Sequence, residues 1–154
     1  MSSLADWKIK AFNDLSATEL YDALALRINV FIVEQNCPYP ETDWKDIDSL
    51  HVLGYTNGRL CAYARIVKPG ISYKEVSIGR VATKKEYRGQ GLGRELMRVT
   101  MDAIRREFGN TFVRISAQSY LVPFYSSFGF EIVGEEYLED DMPHTEMLYA
   151  GIVN

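Results

Sequence analysis

Val81-Ala82-Thr83-Lys84-Lys85-Glu86-Tyr87-Arg88-Gly89-Gln90-Gly91-Leu92-Gly93 decides how this chain is read. An apolar strand runs into a basic turn, then into three alternating glycines, then into a helical pattern. From Leu92 the apolar residues Leu92, Leu96, Val99, Ala103 and Ile104 recur at three- and four-residue spacing, which is one face of an amphipathic helix. Glycine allows close backbone approach and positive φ. Free amides at a helix N-terminus, together with the helix dipole, make a site for anionic oxygens. Arg88 adds a guanidinium suited to phosphate. Two other phosphate loops are excluded by spacing. A P-loop requires Gly-Lys-Ser/Thr, and here Arg94 follows Gly93; the dinucleotide fingerprint requires its third glycine at position 94.

Upstream, Trp7 to Phe12 reads as a first strand, with Trp7, Ile9 and Ala11 on one face. Ser16-Ala17-Thr18-Glu19 is a capping box that opens a helix with Leu20, Leu24, Ile28, Phe31 and Ile32 as its apolar face. Cys37-Pro38-Tyr39-Pro40 ends that region. His51 to Tyr55 and Leu60 to Val67 read as strands joined by Asn57-Gly58, a strong hairpin signal. Glu75 to Thr83 is a fourth strand whose phase slips between Ile78 and Val81, so a bulge is expected near Gly79. Downstream, the long helix ends at Phe108-Gly109. Phe112 to Ala117 is a fifth strand, Tyr120 to Phe128 a short helix stopped by Gly129, and Phe130 to Glu135 and Glu146 to Ile152 two closing strands. The result is one α+β domain, 1–154, with a mixed sheet of seven strands.

The pattern R-x-x-G-x-G on Arg88, Gly91 and Gly93 resembles motif A of the GNAT acetyltransferases. Phe124-Tyr125-Ser126-Ser127-Phe128-Gly129-Phe130 looks like the end of that family's later helix. Nearly end to end, the chain resembles the ElaA-like branch. The matching stretches are Arg27 through Val33-Glu34-Gln35, Cys37-Pro38-Tyr39, Arg80-Val81, Ala117-Gln118, Tyr137-Leu138-Glu139-Asp140-Asp141 and Pro143-His144. The resemblance implies a mostly antiparallel sheet split between the fourth and fifth strands, with helices on both faces. It implies acetyl-CoA as co-substrate and direct attack by a primary amine on the thioester in a ternary complex.

It also implies roles. The fourth strand around Arg80, Val81 and Thr83 would pair with the pantetheine arm as an added strand. The amides of Arg88, Gly89, Gln90, Gly91, Leu92 and Gly93 would hold the pyrophosphate. Gln118 stands where the family often has Asn against the pantetheine, with Tyr120 and Phe124 flanking the arm. Tyr125 would protonate the leaving thiolate, and backbone amides near Val81 would polarise the carbonyl. An amine with a pKa near 10 is only about one part in a thousand neutral at pH 7, so a base or water chain is expected. Glu34, His51 and His144 are the candidates.

The remaining features bound the partners. With 17 basic and 21 acidic side chains the net charge is −4, which argues against a nucleic-acid partner. No run approaches 18 apolar residues, and Met1 to Lys10 has no signal-like core, so neither membrane insertion nor secretion is expected. Cys37 and Cys61 lack metal or redox spacing, which fits a reducing, cytoplasmic compartment and no metal site. Cys61, inside an apolar strand, reads as core. The acids Glu41, Asp43, Asp46 and Asp48 read most simply as a solvated loop; a site for a cationic acceptor is the alternative. The acceptor itself, small molecule or peptide, is left open. Domains of this family often pair, so a homodimer is an expectation. Two competing functions are a CoA-binding module without turnover, acting as a sensor or interaction domain, and a structural domain whose glycine loop is only a turn.

Overall fold

A computed structural model describes residues 3–151. Strand β1 (Asp6–Ala11) leads through a single 3-10 turn into helix α1 (Ala17–Ile28). The capping box forms as read: the Ser16 side chain accepts from the Glu19 amide, and the Glu19 carboxylate accepts from the Ser16 amide. Strands β2 (Ser49–Thr56), β3 (Arg59–Val67) and β4 (Val76–Thr83) follow, then helix α2 (Leu92–Phe108) and β5 (Val113–Gln118). The chain closes with α3 (Val122–Ser126), β6 (Glu131–Ile132), β7 (Tyr137–Glu139) and β8 (Met142–Tyr149).

These strands form one sheet in the order β1-β2-β3-β4-β5-β8-β6, with β7 also paired to β8. All pairings are antiparallel except β4 with β5. Asn57 and Gly58 turn the β2–β3 hairpin with positive φ at both residues, the geometry that a two-residue turn between twisted strands demands. Between the sheet and α2 lies a core built on Val52, Cys61, Ala64, Ile66, Leu96, Met97 and Ile104. On the opposite face Ala23, Leu26 and Val30 of α1 and its extension pack on Leu53, Tyr63 and Ala82. The helices thus cover both faces of the sheet.

Four expectations are corrected. The sheet has eight strands rather than seven, because Tyr137–Glu139 and Met142–Tyr149 form a hairpin across Asp140-Asp141, both at positive φ. Asp tolerates that conformation, but its sequence signal is weaker than Asn-Gly. The strand expected over Phe130 to Glu135 pairs only at Glu131 and Ile132. The helix expected from Tyr120 to Phe128 is a 3-10 turn at Ser119–Leu121 followed by α3. The apolar face of α1 is rotated: Ala23, Leu26 and Val30 are buried, Leu20 and Leu24 are half-buried, and Ile28 is exposed. The buried stripe includes Arg27, so a hydrophobic count points to the wrong side. The last residue of the expected closing strand, Ile152, lies outside the described residues.

Glu19 is buried and also receives Lys10 and Lys8, at 2.9 Å and 3.3 Å. The Ser16 amide first, with the two lysines assisting, holds its carboxyl down at about 2. A carboxyl depressed on folding contributes stability above its unfolded value near 4.5, and loses it as pH falls toward 2. Glu19→Ala should therefore cost about 1–2 kcal/mol at neutral pH. Urea denaturation at stepped pH should show that penalty shrinking below pH ~4.5; a penalty that is flat with pH would contradict this account of the cap.

Candidate active site

The cleft begins with a defect in β4. Tyr63 pairs with Ala82 and Arg65 with Gly79, so Arg80 and Val81 together oppose Ala64. This is the expected bulge, centred one residue later than Gly79: the left-handed residue is Arg80, at φ +53°. A non-glycine residue there costs about 1–2 kcal/mol, so its surroundings must hold it. They do. The Arg80 Nε lies 3.3 Å from Glu41, and its guanidinium sits 4.4 Å from the Phe31 ring centre and 5.4 Å from that of Tyr39. Strands β4 and β5 pair only at Val76–Val113 and Ser77–Arg114 and then separate. The gap is a cleft of about 860 Å³.

At the mouth of the cleft lies the glycine loop. Gly89 and Gly91 have φ of +81° and +86°. Gly91 caps α2 without any side-chain cap, and the helix's own bonding begins with Glu95 N–H to Gly91 O at 3.1 Å. Among the described residues, the amides of Gly89, Gln90, Gly91, Leu92 and Gly93 donate to no protein acceptor. A Cβ built on Gly89 would meet no protein atom. A row of unspent donors at the positive end of a 17-residue helix, with open space before it, fits an anionic diphosphate.

Arg88 does not match the expectation drawn for it. Its amide donates to Lys85 O, which removes it from the row. Its Nε and Nη2 donate to Thr83 O at 3.1 Å and 2.8 Å, and its Nη1 pairs with Glu34 at 2.8 Å. The guanidinium therefore ties the loop to β4 and to the segment after α1.

The family model described as "Acetyltransferase (GNAT) domain" matches residues 27–150. The chain belongs to the GNAT acetyltransferase family. It is 41% identical to the protein ElaA of Escherichia coli over 94% of its own length and 95% of that protein's. The crystal structure of Escherichia coli ElaA superposes with a TM-score of 0.89, covering 94% of this chain and 99% of that one. A crystal structure named as an acyl-CoA N-acyltransferase of Pseudomonas aeruginosa is 44% identical and has a TM-score of 0.91, covering 95% of this chain and 99% of that one. For a GNAT domain the donor class is an acyl-CoA.

Inside the GNAT cleft, Tyr125 is buried on α3 and packs edge-on against Phe124 and Phe130. Its hydroxyl has no hydrogen-bonded protein partner among the described residues, and burial pushes the phenol well above its ordinary range. A phenol is protonated at neutral pH in any case, and burial makes this one harder to ionise. Phe124 also lies 3.8 Å from where a Cβ on Gly93 would sit, and Tyr120 stands at the rim, largely exposed. Gln118 lines the cleft and donates to Gln35 Oε1 at 3.1 Å, joining the end of β5 to the segment after α1.

The three candidate bases fall in different places. His51 is fully buried and does not line the cleft. Its Nε2 must donate to Asp46 O (2.9 Å), which leaves Nδ1 to accept from Tyr63 Oη (2.7 Å). Both nitrogens are spent, and burial holds the ring neutral. That placement removes His51 as a base. Glu34 lines the cleft but carries Arg88. His144 lines the cleft from β8.

The acidic loop is solvated only in part: Asp43 and Asp48 are exposed, whereas Glu41 and Asp46 are not. Glu41 and Asp46 are buried against Arg27, at 2.7 Å and 2.8 Å, and Arg27 itself is fully buried. Arg65 binds Asp43 with two nitrogens and also reaches Asp46. Glu41 and Asp46 neutralise the protein's own arginines, so at those two positions neither the solvated reading nor a free anionic patch holds. Only Arg65, inside the apolar run of β3, and Arg27, on the buried stripe of α1, could have signalled it. Arg27 pairs with acids, as its place on the helix flank suggests, whereas the choice of acids by Arg65 and the contact of Glu139 with His144 carry no such signal. Among the described residues no cluster of His, Cys, Asp and Glu could hold a metal ion, and no helix is long and apolar enough to cross a membrane.

Gly91→Val forces a β-branched residue into left-handed backbone at the helix cap. Acyl-CoA affinity should fall by roughly tenfold, the factor carried by about 1.4 kcal/mol. Isothermal titration with coenzyme A checks this, and an unchanged affinity would contradict the role given to the loop.

Proposed function

We infer that this chain is an acetyl-CoA-dependent N-acetyltransferase that moves the acetyl group to a primary amine by direct attack in a ternary complex. The observation that carries this reading is the row of unspent amides from Gly89 to Gly93 at the start of α2, beside a β4 edge that has no strand partner beyond Ser77. The amides suit the diphosphate. The free edge around Val81 and Thr83 suits the pantetheine as an added strand. Phe124, with Tyr120 at the rim, flanks that path.

The bound thioester supplies an activated acyl group. This chain's residues do the rest. The bulge at Arg80 turns β4 main chain toward the cleft, where amides near Val81 can bond the carbonyl oxygen as negative charge develops on it. Tyr125 holds its proton at neutral pH and gives it to the departing sulfur. The two strands and the segment after α1 set donor and acceptor side by side, and so convert a bimolecular encounter into a positioned one. The acceptor is a small-molecule or peptide amine.

Thermal unfolding with acetyl-CoA tests the donor. Saturation near 100 times the dissociation constant should add about 2.7 kcal/mol; no shift at millimolar acetyl-CoA would remove the donor claim. A screen of primary amines for thiol release then separates an enzyme from a CoA-binding module without turnover. Tyr125→Phe should lower kcat by roughly 10²-fold with acetyl-CoA affinity little changed. An unchanged kcat would dismiss Tyr125 as the acid.

A further inference from the structure

Val76 and Ile78 of β4 point into the core beneath α2, so Ser77 and Gly79 lie on the other face of the sheet. Ser49, Val67, Ser77 and Arg114 stand side by side across β2, β3, β4 and β5. Ser77 therefore marks the closed end of the gap, where the β4–β5 ladder stops. It is 5% exposed, it lines the cleft, and its hydroxyl has no partner among the described residues. The Ser49 hydroxyl donates to Lys45 O at 2.6 Å, which ties Lys45 to the same end of the sheet. The Lys45 ammonium donates to Ser72 Oγ at 2.9 Å, and both residues line the cleft. Among the described residues no carboxylate lies within ion-pair range of Lys45. The other cations of the cleft are matched: Arg65 by Asp43, Arg80 by Glu41 and Arg88 by Glu34. The acids around this end are matched too, Asp43 by Arg65, and Glu75 and Glu146 by Arg114.

We propose that this end of the cleft is an anion subsite for the acceptor, and that the acceptor is an ω-amino acid, a primary amine with a carboxylate several bonds away. This rests on the acetyl-transfer reading above and names the substrate class for the same cleft. The subsite offers hydrogen-bond donors. Lys45 has two N–H groups left after Ser72, the Ser72 hydroxyl accepts from Lys45 and is free to donate onward, and the Ser77 hydroxyl is unspent. A carboxylate accepts at several lone pairs, and its bonds to an ammonium are charge-assisted. The fold also sets the length of the acceptor. Val81 shares the place opposite Ala64, three positions along β3 from Val67, the partner of Ser77. At the usual strand rise that puts the Ser77 end about 10 Å from the amides that would polarise the thioester carbonyl. An extended carbon chain gains roughly 1.3 Å per bond, so nitrogen and carboxyl carbon stand about 2.5 Å apart in glycine and about 7.5 Å apart in 6-aminohexanoate. An α-amino acid is too short to engage both ends. A chain of five or six carbons spans most of the distance, and a hydrogen bond at each end covers the rest. The reaction balances without a further reactant: the C–N bond forms as the C–S bond breaks, giving the N-acetyl amino acid, the thiol of coenzyme A and one proton to water.

Thiol release from acetyl-CoA tests this with glycine, 4-aminobutanoate and 6-aminohexanoate, set against hexylamine and 1,6-diaminohexane. Hexylamine matches 6-aminohexanoate in length and closely in the basicity of its amine but lacks the carboxylate; the diamine puts a cation in its place. The kcat/KM should rise with length from glycine to 6-aminohexanoate. It should stand roughly tenfold or more above that of hexylamine, the factor one charge-assisted bond supplies, and further above that of the diamine. Lys45→Met should bring the ratio of 6-aminohexanoate to hexylamine close to one, whereas Lys45→Arg should keep most of it. Lys45 is partly exposed and lies outside the core, so both variants are expected to fold, and thermal unfolding checks that they do. Hexylamine or the diamine matching 6-aminohexanoate in an active parent would overturn the subsite, and so would a ratio that survives in Lys45→Met. An active parent that prefers glycine would overturn the assigned length and with it the placement of the subsite. A parent that binds acetyl-CoA but releases thiol with no primary amine overturns the acetyl-transfer reading and this proposal together; the two failures differ in whether the parent is active.

Discussion

One buried carboxylate ties the bulged strand at the cleft to the helix beneath it. Glu41 accepts from the fully buried Arg27 and also faces Arg80, the residue whose left-handed backbone makes the bulge in β4. Breaking a buried pair by removing one partner costs about 3–5 kcal/mol, because a charge is stranded away from water. That scale exceeds the 1–2 kcal/mol of strain at Arg80. The network can therefore hold a bulged strand that local preference would straighten. The ladder between β4 and β5 ends at Ser77, a few residues before that bulge, and the gap opens from there. Buried arginines in α1 and β3 are costly on their own. Here they bind the loop from Glu41 to Asp46 against the sheet and fix one wall of the cleft.

Around that gap the work is divided by element. The N-terminus of α2 presents unpaired amides, the edge of β4 beyond Ser77 presents main chain, and α3 presents the buried phenol of Tyr125. The β7–β8 hairpin supplies the opposite wall, where His144 lies 3.2 Å from Glu139. Three polar links cross from the segment after α1: Glu34 to Arg88, Gln35 to Gln118, and the Cys37 sulfur to Asp140 O at 3.7 Å. They connect the glycine loop, the end of β5 and the hairpin turn through one short stretch of chain.

What the sequence showed plainly was local. The capping box at Ser16–Glu19, the Asn57-Gly58 turn, the phase slip in β4 and the glycine row before α2 each encode their geometry within a few residues. The parts that escaped are those whose meaning lies in distant partners. Glu41 and Asp46 look solvated until Arg27 and Arg65 arrive from another helix and strand. His51 looks available until Tyr63 and Asp46 take both its nitrogens. Arg88 looks like a free phosphate ligand until Thr83 and Glu34 take its guanidinium. The final hairpin escaped for a different reason: β7 is three residues long and its turn is Asp-Asp, so neither periodicity nor turn chemistry stands out.

The central claim is that main-chain donors at the start of α2, together with the free edge of the bulged strand, receive the diphosphate and pantetheine of a CoA thioester. Backbone amide NMR during titration with coenzyme A tests this most directly. The account predicts that the largest shifts fall on the amides of Gly89 to Gly93 and on β4 from Val81 to Thr83, with the loop amides moving downfield as they gain anionic acceptors. Shifts concentrated elsewhere, with those amides unmoved at saturation, would contradict it.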